Sequence, residues 1–268
     1  MSFHSVPLSK DYVVERKVIL NPGNNGYIGR SGLFVSPGTM TKHKMSNYWK
    51  FYTNVTDLDQ TNLVKWDEVG SGGIKTMDEF SPPKSTACTA TWCGKASQGP
   101  GLTYENYYVP PQCYNRPEKC AVVIHAVSNY DEAYFETLTK TLGLNMIHAY
   151  YGWSMGKAAK EMIAAGRDVL NYYWEPDPLI TQLGSTRISF PDYRIGCKGA
   201  KFTADPTTGS LGCDYAGAPM EKLLTADVKA VMPENFFSLG KLCGICREPS
   251  ASKNKGIKVC VCYGAYRM

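Results

Sequence analysis

Between residues 121 and 174 the chain alternates between two kinds of pattern, and this alternation limits the folds open to it more than any other feature. Ala121-Val122-Val123-Ile124-His125-Ala126 is a continuous, mainly apolar run of strand length, as expected of a strand covered on both faces. Tyr130 to Leu142 comes next, with Tyr134, Leu138 and Leu142 at helical spacing and Gly143 as its stop. Leu144 to Tyr150 reads as a second strand. Met155 to Ala165 reads as a second helix, with Ser154 as its N-cap and Gly166 as its stop. Val169 to Trp174 is the third strand. Strand, helix, strand, helix, strand in this order predicts an α/β fold with a parallel sheet and right-handed crossovers.

The third strand ends in Tyr172-Tyr173-Trp174-Glu175-Pro176-Asp177-Pro178. Three aromatic rings arrive at its carboxyl end, and the prolines hold the next few residues in an extended path. Ligands of open α/β sheets sit at that end. The rings fit two readings: core and interface packing, or a surface that holds an organic cation by its π faces. Glu175 and Asp177 likewise either face an amine or cap local backbone.

The flanking sequence is less regular. Val13 to Leu20 reads as extended, closed by turn residues from Asn21 to Gly26; Tyr27 to Pro37 reads as a buried strand interrupted by glycines. Met45 to Lys65 carries spaced aromatics consistent with a short helix and a loop. Residues 70–120 form a Gly-, Ser-, Pro- and Tyr-rich excursion holding Cys88, Cys93, Cys113 and Cys120, read as disulfide staples. Gly70 to Gly73 is a linker rather than a phosphate cradle. Leu179 to Ser189 predicts a short helix and a strand, Cys197 and Cys213 pair most simply with each other, and Met220 to Met232 predicts one more helix. Cys243, Cys246, Cys260 and Cys262 lie in the tail, where their spacing fits disulfides or, in part, a zinc site.

With 268 residues and 43% hydrophobic content the chain can bury a substantial core, and its net charge of +5 is spread rather than gathered into the stripe of a nucleic-acid binder. No apolar run reaches membrane-span length, and the first twenty residues lack the apolar core of an export signal. Ten cysteines and the sequon Asn54-Val55-Thr56 nevertheless imply an oxidising, extracellular type of compartment. The two observations are reconciled if an upstream portion carries the signal. His125 and His148 fall in expected strands and read as satisfied core groups. No Walker loop or nucleophile elbow is present, so the expectation is a non-enzymatic protein without a cofactor.

Three segments resemble the substrate-binding proteins of glycine betaine, choline and related quaternary-amine transporters, in the cysteine-rich form found in ectodomains of single-celled eukaryotes. They are Gly29-Arg30-Ser31-Gly32-Leu33-Phe34-Val35-Ser36-Pro37, Gly152-Trp153-Ser154-Met155-Gly156-Lys157-Ala158-Ala159 and Tyr173-Trp174-Glu175-Pro176-Asp177-Pro178-Leu179. The resemblance implies a type II periplasmic-binding-protein-like fold: a parallel-sheet βαβαβ lobe, an incomplete second lobe and a disulfide-stapled insertion. Residues 1–26 would be an extended remnant of lobe one, 27–178 lobe two with its insertion at about 70–120, 179–240 the return segment, and 241–268 a Cys-rich tail. It implies a small cationic or zwitterionic metabolite as ligand, with Trp174 as first choice for an aromatic wall and Tyr173, Tyr151, Trp153 and Tyr27 as further candidates. The backbone amides of Gly152-Trp153-Ser154 would meet a ligand carboxylate, as helix starts do. The departure from the family is that fewer than thirty residues precede Gly29, where about half of the first lobe is expected. A partner chain or an upstream segment would complete that lobe. The alternative is an accessory subunit of a larger assembly that keeps the fold without binding ligand.

Overall fold

The computed structural model describes residues 19–66, 107–128, 131–197, 202–203, 205–206 and 208–225. The expectations placed on residues 1–18, on Gly70 to Gly73, on Cys88 and Cys93, and on the Cys-rich tail lie outside these. The chain divides into two compact units, Met1–Gly29 with Ala218–Met268, and Arg30–Gly217.

In the first unit the leading part of β1 (Ile19–Val35) pairs antiparallel with β7 (Ala218–Thr225). The register slips between Leu20 and Gly23 and again between Asn24 and Ile28. These irregularities replace the turn expected at residues 21–26: the Gly- and Asn-rich stretch forms bulges within one strand, with Gly26 at φ 89°. The helix expected from Met220 is also corrected, since residues 218–225 are strand. Cross-strand pairing with β1 outweighs the local apolar periodicity there.

The second unit holds a mixed sheet in the order β2-β4-β3-β5-β1-β6. Its centre is β4 (Met146–Tyr150), β3 (Ala121–His125) and β5 (Leu170–Glu175), all parallel. The last residues of β1 run antiparallel to β5, matching Ser31 to Trp174 and Leu33 to Tyr172. Short strands β2 (Tyr107–Tyr108) and β6 (Thr186–Arg187) close the two sides. The expected strand-helix alternation is therefore present, within a sheet that also takes antiparallel strands.

Two helices cover the centre. α3 (Tyr134–Leu142) joins β3 to β4 and stops at Gly143 (φ 67°); α4 (Met155–Ala164) joins β4 to β5 and is followed by Gly166 (φ 79°). Left-handed glycine is the ordinary way to end a helix. α3 lies over the face that carries His125, His148, Tyr150 and Tyr172: Phe135 is 5.7 Å from the Tyr172 ring and Thr139 meets His148. Residues alternate across a strand, so Tyr173 points to the other face, where it shares a groove with Gly156 and Lys160 of α4. Short helices α1 (Pro37–Lys42) and α2 (Val55–Asp59) come after β1. α5 (Pro178–Leu183) is the short helix expected after Pro178, capped by the Asp177 carboxylate, which accepts from the Leu179 amide at 2.8 Å.

Two disulfides, Cys113–Cys120 and Cys197–Cys213, are formed among the described residues, and they mark a non-reducing compartment. Among the same residues no helix is long and apolar enough to cross a membrane.

Candidate functional site

A doubly covered sheet of this topology fixes where a ligand would approach. β3 leads into α3 on one face. Its neighbour β5 leads into α5 on the other face, where Lys160 Nζ of α4 donates to Gln182 Oε1 of α5 at 3.1 Å. Where adjacent parallel strands send their connections to opposite faces, a crevice opens at their carboxyl ends. Trp174 stands at that end of β5, half-buried. The loop leaving β3 reaches α3 through Glu132 and Ala133, both with positive φ (57° and 59°). Two successive non-glycine residues in the left-handed region carry backbone strain of the kind that collects at functional loops.

The side chains expected to bind ligand separate into distinct environments. Tyr173 lies on the opposite face from Trp174, in a surface groove of about 630 Å³ that also contains Lys157, Lys160, Asp177 and Gln182. Trp153, in the one-turn 3-10 helix Gly152–Ser154 after β4, is 73% exposed. Ser154 is exposed and occupies the N-cap position of α4 without a side-chain cap. Tyr151 is only 3% exposed and belongs to the core. Tyr27, 60% exposed, is in the other compact unit. The structure thus keeps Trp174 and Trp153 at the carboxyl end of the parallel strands and withdraws Tyr151 into packing.

Two of the three amides expected to form an anion nest are engaged by protein carbonyls. The Gly152 amide donates to Ala126 O at 3.0 Å and the Ser154 amide to Tyr151 O at 3.2 Å, while the Met155 amide is directed to Gly152 O. These amides extend the β3–β4 contact and close the helix turn, so they are already spent on protein carbonyls.

Glu175 is also engaged. Arg30 donates to Glu175 Oε1 from Nε and Nη2 at 3.2 and 3.0 Å, and Arg187 Nε lies 3.2 Å from the same oxygen. Arg187 also makes a two-pronged pair with Asp214 (2.7 and 3.0 Å) and donates to Ser31 O at 2.6 Å. Forked guanidinium–carboxylate pairs fix geometry as well as charge. With Asp177 capping α5, both acidic residues of the strand end serve the protein's own backbone and arginines.

Beneath α3 lies a polar cluster that sequence reasoning missed. His125, His148, Glu136 and Asp131 are buried between sheet and helix. Tyr172 stacks on His125 with centroids 4.3 Å apart, and the two imidazole centroids are 5.4 Å apart. Thr139 Oγ1 is 2.9 Å from His148 Nε2, the Tyr150 hydroxyl donates to Glu136 Oε1 at 2.6 Å, and His125 Nε2 is 3.8 Å from Asp131 Oδ2. The histidines are buried as expected but not satisfied. Among the described residues, both nitrogens of His125, Nδ1 of His148 and Oε2 of Glu136 have no hydrogen-bond partner. A buried polar atom left without one costs about 1–3 kcal/mol.

Burial drives all four groups toward their neutral forms. It pushes His148 down to about 3, and His125 down with help from neighbouring His148. It pushes Asp131 up to about 7 against the pull of the first amides of α3. It pushes Glu136 well above the usual carboxylate range, with Asp131 adding to the rise and the Tyr150 hydroxyl opposing it. Beyond the two histidines in their strands, the sequence sign of this cluster is Glu136 and Thr139 set three apart among the apolar residues of α3. No protein-family model matches this chain, and no curated protein matches it.

Proposed function

We propose that this chain is a non-enzymatic solute-binding module of the type II periplasmic-binding kind, one that captures a small quaternary-amine or zwitterionic metabolite outside the reducing cytosol. The observation that carries the reading is Trp174, half-buried at the carboxyl end of β5, where the sheet's connections part. The resemblance to glycine betaine and choline transporter components supports the same residue. A quaternary ammonium has no N–H to donate, so its affinity comes from desolvated aromatic faces worth ~1–2 kcal/mol each. Trp174 supplies one such face, and Trp153 is the second ring at this end of the sheet. Since the Gly152 and Ser154 amides are occupied, the ammonium group dominates recognition, and choline is expected to bind no more weakly than betaine. In this role the module serves as a transport component or a receptor ectodomain.

The test is a thermal-shift and tryptophan-fluorescence titration of the full-length protein with betaine, choline and carnitine. At least one ligand should raise Tm, and Trp174→Ala should weaken its binding at least tenfold with the fold intact. A flat response across the panel ends this reading.

One observation favours the alternative, an accessory subunit that keeps the fold without a ligand. Trp153 is 73% exposed, and a large exposed indole is a ring type enriched at protein contacts. Purification in a stoichiometric complex, disrupted by Trp153→Ala and indifferent to the panel, would select it.

A further inference from the structure

We propose that His125, His148 and Glu136 form a buried binding site for one divalent transition-metal ion, Zn2+ by ligand type, which ties β3, β4 and α3 together. The three residues come from three successive elements and stand eleven and twelve positions apart in sequence. Even so, one potential ligand atom from each lies within 4.8 Å of the others. Around zinc, with bonds of ~2.0–2.2 Å, ligand atoms sit ~3.3 Å apart. Drawing the triad in to that spacing takes a closure of up to ~1.5 Å between ligand atoms.

The hydrogen bonds argue for a metal more strongly than proximity does. Metal-ligating side chains are oriented through their second polar atom by an outer partner. His148 has Thr139 Oγ1 on Nε2, and Glu136 has the Tyr150 hydroxyl on Oε1. In each case the other atom, His148 Nδ1 or Glu136 Oε2, is buried with no partner among the described residues. His125 is held differently, by the face of Tyr172 and by Asp131 at 3.8 Å. Asp131 is therefore a positioning carboxylate for His125 and stands outside the three-residue set, whose fourth position is left to a metal-bound water. Two imidazoles with one carboxylate and no thiolate fit Zn2+, and equally Co2+ as its spectroscopic stand-in. A cation here turns the unmade hydrogen bonds of three buried groups into coordination bonds. The metal cluster lies beneath α3 whereas capture of a solute concerns the exposed strand ends, so either site can exist without the other.

The site is closed to solvent, so metal enters as the protein folds. The test is expression of the full-length, disulfide-intact protein in cobalt-supplemented medium, followed by metal analysis and visible spectroscopy. One cobalt per chain is expected, with the visible bands of a four-coordinate ion and without the sulfur-to-cobalt charge-transfer band that cysteine ligands add. Glu136→Gln and His148→Gln should lose the ion. Tyr150→Phe keeps the aromatic ring and should lower metal affinity 10- to 100-fold while the fold persists, which decides the matter if the ligand variants do not fold. The proposal is overturned if no cobalt survives gel filtration, if the spectrum shows thiolate charge transfer, or if Tyr150→Phe binds as tightly as the parent.

Discussion

Tyr52, Tyr107 and Tyr151 show how much single side chains depend on burial. Tyr52 is enclosed and donates to Ser46 O. Burial raises all three phenols above the ordinary tyrosine range. The native values exceed the unfolded value of about 10, so the associated stability is fully present below pH ~10 and is lost as pH rises further, by ~1.4 kcal/mol per group per pH unit. An absorbance titration should therefore show these tyrosines ionising together with cooperative unfolding above pH ~10. Gradual ionisation at that pH with the near-ultraviolet circular dichroism unchanged would contradict their burial. The histidines mark the limit of reading at this scale. A strand pattern shows that His125 and His148 face a core. It carries no information on whether Asp131, Glu136, Thr139 and Tyr150 come within reach, because that depends on how the crossover from β3 through α3 to β4 packs on the sheet. Trp174 was legible because its position at a strand end follows from local pattern alone.

At the scale of elements, the central βαβαβ order was readable because each segment holds one periodicity between clear stops. Gly143 and Gly166 end α3 and α4 where their positions require left-handed backbone. β7 was not readable. Its apolar spacing fits a helix, and only the strand partner, some two hundred residues earlier, makes it extended. The start of α3 was hidden too: Ala133 flanks the helix at φ 59° and ψ 32°, where glycine would be the ordinary choice. A non-glycine residue there carries roughly 1 kcal/mol of strain. Ala133→Gly removes that strain, but it also deletes a buried methyl group worth ~0.8 kcal/mol and frees the unfolded chain by about 0.4–1 kcal/mol, so a net loss of under about 1 kcal/mol is expected. Urea denaturation checks this through a midpoint only slightly below the parent's at unchanged slope. A loss of about 1.2–1.8 kcal/mol, the sum of the two costs, would mean that the left-handed turn is not strained.

For the molecule as a whole, the disulfides connect stability to compartment. Cys113–Cys120 closes a short loop just ahead of β3, with a sequence separation of 7. Cys197–Cys213 spans 16 residues and anchors the segment whose Asp214 clamps Arg187. The backbone carbonyls of Cys213 and Asp214 also receive the Tyr134 hydroxyl of α3 at 3.1 and 2.6 Å. The second bridge thus holds a strap joined to both the edge strand β6 and the helix that covers the histidine cluster. Loop-closure entropy assigns about 2.5 kcal/mol to the shorter bridge and about 3 kcal/mol to the longer. Domains of this size have only ~5–15 kcal/mol in total, so losing both removes a large share. The Cys197→Ser/Cys213→Ser double variant should therefore melt lower than Cys113→Ser/Cys120→Ser, by more than the entropy difference alone, because the Asp214–Arg187 clamp loosens with it. A thiol reductant should lower the Tm of the parent below that of either variant measured without reductant. If the parent melts at the same temperature with and without reductant, the bridges do not stabilise the fold, and the case for an oxidising compartment loses its physical basis.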